Sequence, residues 1–161
     1  MGLLTQQYQK FRKHDPANGQ YGDCHRTSMA MLLGCDRDKI PNFGIYYDQM
    51  DKWDELLNGF LDSLGLFQAD IAFTFEEGAK FEDVKEYMVK IARNQPFLMG
   101  GTSPTGTNHS IAIDTDGAVF DPQGRTPALV GPSSDGHWWL SLFCVKPGTI
   151  VVPWGANRDN S

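Results

Sequence analysis

Three side chains of this 161-residue sequence have the types and settings needed for thiol-centred acyl transfer: Cys24, His109 and Asp121. Cys24 opens the run Cys-His-Arg-Thr-Ser-Met-Ala-Met-Leu-Leu, which contains no Gly or Pro and then meets Gly34. This predicts a short helix over 24–33 with Asp23 as its N-cap candidate and a glycine stop. A cysteine in a first helical turn faces unpaired backbone N–H groups and the positive end of the helix dipole, which favour thiolate over thiol. Gly22 lets a substrate approach the backbone closely. The Asp23 charge beside the sulfur opposes ionisation, so an active thiolate needs a histidinium partner.

Four histidines compete for that role. His25 adjoins Cys24, but successive helical residues project roughly 100° apart, which aims it poorly at the sulfur. His14 sits in a polar leader, and His137 precedes the Trp138-Trp139 strand, where a core or edge role fits. His109 opens the strand His-Ser-Ile-Ala-Ile directly after the glycine-rich loop 100–108. A base at a strand start beside such a loop is both held and accessible, as proton transfer requires.

A third group should accept the second imidazole N–H, and Asp121 and Asp114 are the candidates. Asp114 has the opposite strand parity to His109 and points to the other face. If Asp116-Gly117 is a two-residue hairpin turn, Asp121 also lies on the face away from His109. A three-residue loop over 115–117 instead sets Ile111 opposite Asp121 and makes His109 and Asp121 diagonal neighbours, roughly 7 to 8 Å apart along the backbone. Asp121 is the better choice, on the condition of an odd loop or a bulge. For the oxyanion hole, the Cys24 N–H needs a second donor, and both Gln20 and Asn18 qualify. Gln20 is preferred because Asn18-Gly19 is itself a turn signature.

The elements that must carry these residues are legible from pattern. Asp15 to Gly19 is a run of turn formers leading to Cys24. Trp53, Leu56, Leu57, Phe60, Leu61 and Leu64 recur at helical spacing over 48–64, with Gly65 as the stop. Phe67, Ala69, Ile71, Phe73 and Phe75 alternate as a half-buried strand does, and 81–93 reads as a helix turning Val84, Met88 and Ile91 inward. Segments 97–99, 109–113, 118–120, 138–145 and 150–152 are strand-like. Helices first and strands later, without βα alternation, predict an α+β fold: N-terminal helices, nucleophile helix first, packed on a C-terminal antiparallel sheet. One domain over 1–154 and a disordered tail over 155–161 are expected.

The ordered elements Gly22-Asp23-Cys24, Ile40-Pro41-Asn42-Phe43, the loop from Gly101 to His109 with its Ser-Pro-x-Gly-x-x-His ending, and Asp121-Pro122 carry a resemblance. Over about 22–145 the chain resembles the papain-like cysteine peptidase superfamily, and within it short members found in bacterial and phage genomes. It departs from them at Thr105, where an Arg is common, and at Gln123, where a His often follows Asp-Pro. The resemblance implies a papain-like fold and a Cys24, His109, Asp121 site, but no substrate, because such folds host peptidases, amidases, transglutaminase-like acyltransferases and inactive relatives.

Composition excludes other classes. Hydrophobic residues at 40% and charged residues at 21% are ordinary for a globular protein, and no stretch approaches a membrane span. The polar start lacks a secretory h-region, and Gln6 breaks the myristoylation pattern, so cytoplasmic residence is expected. A net charge of −6 argues against nucleic acid as a partner, and the short basic cluster 10–14 reads as a solvated face. Three cysteines without CxxC spacing predict no disulfide framework, and Cys24, His25, Cys35 and His109 match no usual zinc pattern. The expected chemistry is therefore a hydrolase or acyltransferase without metal or cofactor, acting on a peptide, protein or small amide or thioester. The alternative is a non-catalytic shell of the same fold that binds another protein, such as a small phage factor.

Overall fold

The computed structural model describes residues 2–148 of the chain. The strand expected at 150–152 and the tail expected at 155–161 lie outside the described residues. Three α-helices and five strands follow in the order α1 (Cys24–Leu33), α2 (Met50–Ser63), β1 (Leu66–Phe73), α3 (Phe81–Ile91), β2 (Phe97–Thr102), β3 (Asn108–Ile113), β4 (Val119–Phe120) and β5 (Trp138–Val145). The strands form one sheet in the order β1-β5-β2-β3-β4, with every neighbouring pair antiparallel. The fold is α+β, as the patterning predicts.

Helix α1 begins and ends where its sequence signals place it. Gly34 adopts φ +68° and returns its N–H to the Ala30 carbonyl, a left-handed cap that side chains resist. Asp23 holds the N-cap position, yet its side chain caps nothing; the Asp23 backbone carbonyl accepts from the Thr27 N–H and hydroxyl instead.

Period-two alternation on the central strands splits the core into two clusters. Phe97, Met99, Ile111, Ile113, Trp138 and Leu140 face α3, where they meet Val84 and Met88. Leu98 and Ala112 point the opposite way, to Met29 of α1, Leu57 and Leu61 of α2, and Phe43. The sheet is thus covered on both faces.

Three expectations need correction. Helix α3 and strand β1 precede the other strands, so the helices are not all N-terminal, and α3 covers the face opposite to α1 and α2. In β1, Phe67 and Ile71 remain exposed, at 41% and 38%. The strand is an edge strand, and of its odd-numbered face only Phe73 joins the cluster beneath α3. Ile91, expected inward, is likewise exposed; α3 ends there, and Ala92 is buried instead.

Residues 2–23 contain no α-helix or strand and are held by hydrogen bonds to distant parts of the fold and within the segment. The Asp114 carboxylate accepts from the Leu3 and Leu4 N–H groups at 2.8 and 3.0 Å. Asp23 accepts from the Lys10 and Phe11 N–H groups, and Gln6 donates to the Asp121 carbonyl. Among the described residues no helix is long and apolar enough to cross a membrane.

Candidate active site

The hairpin between β3 and β4 decides whether Asp121 reaches His109. Ile113 pairs with Val119 and Ala112 with Phe120, and the Asp114 N–H bonds the Ala118 carbonyl. The loop is therefore Thr115-Asp116-Gly117, with Gly117 at φ +85°. This three-residue connection, not the two-residue turn, sets Ile111 opposite Asp121 and brings the carboxylate to the side of His109.

The His109 Nε2 lies 2.6 Å from Asp121 Oδ1, with both side chains buried. An ionised carboxylate only accepts, so Nε2 carries the proton and Nδ1 is left for Cys24. Asp121 is itself fixed by the turn that follows it: the Gln123 N–H donates to Oδ1 and the Arg125 N–H to Oδ2, each at 2.9 Å, while Arg125 Nε stands 3.5 Å from Oδ2. Burial would raise the Asp121 pKa, but the His109 hydrogen bond, those backbone donors and the His109 charge hold it below the usual carboxylate value.

Cys24 reaches the other side of the imidazole because β4 is only two residues long. Beyond Ala112 the outer edge of β3 has no strand partner among the described residues, and α1 takes its place. The Ser28 hydroxyl donates to the Ser110 carbonyl at 3.0 Å, and the Ser110 backbone hydrogen-bonds the Cys24 sulfur. Desolvation opposes ionisation of the thiol. The hydrogen bond and charge of His109, followed by the Ser110 and His25 backbone groups, outweigh it, so the Cys24 pKa lies below its ordinary value. Burial pushes His109 down, yet its hydrogen bonds to Asp121 and Cys24 and the charges of both raise its pKa to about 9. Both shifts run in the direction that favours a thiolate–imidazolium pair over the neutral thiol and imidazole.

The unfavourable charge expected from Asp23 is cancelled. Its buried carboxylate turns away to the Arg26 guanidinium at 2.7 Å and to the backbone of the N-terminal segment. Asp114, the other candidate partner for His109, is engaged with Leu3, Leu4 and Thr115 and has no part in the site.

Cys24 and His109 open into a cavity of about 340 Å³ whose walls include Trp53, Gln68, Asp70 and Trp139. A side chain at Gly100 would press on this wall, since a Cβ there meets the Trp139 Cβ at 3.1 Å. The Cys24 N–H starts the helix and has no carbonyl four residues back within it, so it is free to meet an oxyanion. Gln20 does not line the cavity. Its backbone is clamped to Asp15 in a two-bond bridge, and its half-buried amide has no hydrogen-bond partner among the described residues. Asn18 is committed, with its amide donating to Asp15 at 2.9 Å.

Of the remaining histidines, His25 contacts Gln68 Oε1 at 3.3 Å, and burial lowers its pKa; His137 meets the Thr74 hydroxyl; and His14 packs on Tyr21 and Tyr47. Cys24, His25, Cys35 and His109 are not gathered as metal ligands. Cys35 lies past the far end of ten-residue α1, about 15 Å along the helix from Cys24. Residue patterning missed Gln68, Asp70 and Ser141, although their signal was present as the polar half of the β1 alternation and the lone Ser of β5. Comparison with protein-family models, curated proteins and solved structures finds no match to the chain.

Proposed function

We propose that the protein is a thiol-dependent hydrolase or acyltransferase of the papain-like kind, acting on an amide or thioester carbonyl. The observation that carries this reading is the buried His109 imidazole, bonded to Asp121 on one side and facing the Cys24 sulfur on the other, at the wall of a ligand-sized cavity. The Cys24 thiolate attacks the carbonyl carbon, and the oxyanion gathers at the Cys24 backbone N–H. His109 passes its proton to the leaving amine or thiol as the carbon–heteroatom bond breaks, leaving an acyl-thioester. Water or an acceptor amine then attacks, His109 takes its proton, and Cys24 departs as thiolate. Asp121 keeps the imidazole oriented through both steps. Three unpaired cysteines suit a reducing cytoplasm.

The test is the pH dependence of Cys24 alkylation by iodoacetamide, read by mass mapping, in the wild type and in His109→Ala. Fast alkylation is expected well below the pKa of a free thiol, with the midpoint moving up to or above that of a free thiol in the variant. If Cys24 reacts no faster than a free thiol and the substitution changes nothing, the catalytic reading fails and a non-catalytic binding role replaces it.

A further inference from the structure

Among the described residues, and beside the thiol and its imidazole, the cavity carries one formal charge, the Asp70 carboxylate, and neither Lys nor Arg lines it. Asp70 stands directly opposite Ser141 across β1 and β5, and its Oδ1 accepts from the Ser141 hydroxyl at 2.5 Å and the Gln68 amide at 2.8 Å. The Gln68 carbonyl oxygen in turn meets His25 Nε2. This chain orients Asp70 while its Oδ2 accepts no hydrogen bond among the described residues. Aromatic surfaces flank it. Trp139 lies on the same face of β5, two residues from Ser141, with its indole N–H anchored to Asp135 at 2.9 Å, and Trp53 packs on His25 at 5.9 Å between ring centroids.

A preset carboxylate with a free oxygen, exposed at the wall of a cavity that two indoles also line, is complementary to an ammonium or guanidinium group. We propose that Asp70 makes the site selective for an acyl residue with a basic side chain, lysine or arginine. The inference rests on Cys24 being the nucleophile. The apolar stem of such a side chain runs along Trp53 and Trp139, and its charged head meets Asp70 Oδ2. An acidic side chain meets repulsion there instead.

The probes are acetyl-lysyl, acetyl-norleucyl and acetyl-glutamyl chloromethyl ketones, whose chloride the Cys24 thiolate displaces to form a thioether. Norleucine keeps the four-carbon stem of lysine and lacks its ammonium group. Second-order rates of Cys24 labelling should favour the lysyl over the norleucyl reagent by about tenfold in the wild type, and the glutamyl reagent should be slowest. In Asp70→Asn the lysyl preference should fall to about twofold or less, whereas Ser141→Ala, which keeps the charge, should retain most of it. Equal lysyl and norleucyl rates in the wild type, or a preference that survives Asp70→Asn, overturn the assignment. Iodoacetamide separates the two levels: brisk alkylation with no lysyl preference removes only the role of Asp70, while sluggish alkylation removes the nucleophile as well. The wild-type comparison decides even if Asp70→Asn does not fold.

Discussion

Replacing Asp121 with Asn tests the electrostatic core of the site. The rise of the His109 pKa from 6.5 to about 9 corresponds to roughly 3 kcal/mol favouring the imidazolium, at about 1.4 kcal/mol per pH unit. Asp121 and Cys24 share that contribution, so loss of the carboxylate charge should remove about half of it, or about tenfold in the protonation equilibrium. The His109 midpoint, followed by NMR of its ring protons, should fall from about 9 to roughly 8. Cys24 alkylation at pH 6 should slow by about tenfold, because the imidazolium that holds the thiolate is weakened. Stability carries the same signature. His109 has a raised pKa in the folded state, so its contribution is complete below the unfolded value near 6.5 and is lost as pH rises through about 9. Asp121 has a lowered pKa, so its contribution is complete above the ordinary carboxylate range and is lost in acid. The destabilisation measured by urea unfolding should therefore be greatest between about pH 5 and 6.5 and smaller at pH 9.5. A His109 midpoint that stays near 9 in Asp121→Asn, or one near 6.5 in the wild type, would refute this account.

Asp114→Asn separates the two aspartates weighed as partners of His109. The substitution removes one acceptor from the Leu3 and Leu4 N–H groups, and their hydrogen exchange should accelerate about fivefold, the equivalent of ~1 kcal/mol, with Cys24 alkylation unchanged. A slowed alkylation would mean that Asp114 acts at the site after all. Two glycines should respond oppositely in thermal or urea unfolding. At Gly59, inside α2, an added Cβ has open space, so Gly59→Ala should stabilise by about 1 kcal/mol. At Gly101 a Cβ would sit 2.7 Å from the Gly131 carbonyl oxygen, so Gly101→Ala should cost about 1 to 3 kcal/mol. Equal effects at the two positions would show that the close approach at Gly101 is not felt.

Local signals were sufficient wherever one element decides the outcome. The uninterrupted run after Cys24 and the left-handed requirement at Gly34 determine α1 and put the cysteine in its first turn, since capping and helix propensity act within a few residues. The apolar spacing of α2 and the Trp138–Val145 strand were legible for the same reason. The approach of Asp121 to His109 was legible only as a condition, because strand parity is a local property whereas loop length is settled by how the pair closes. Tertiary structure decided the rest. The short β4 leaves an open edge on β3, and only the packing of α1 against that edge brings the sulfur to His109. Asp23 reads as an N-cap and as an obstacle to the thiolate, but Arg26 and the backbone of Lys10 and Phe11 neutralise it, partners that no periodicity reveals. Asp70 enters the cavity because β1 pairs with β5, seventy-one residues away, beside Ser141. The sequence by itself thus singled out Cys24, His109 and the elements that carry them. Their mutual distance, the neutralisation of Asp23 and the charge of the cavity came from long-range pairing, because these depend on which strand edges and buried carboxylates find partners across the chain.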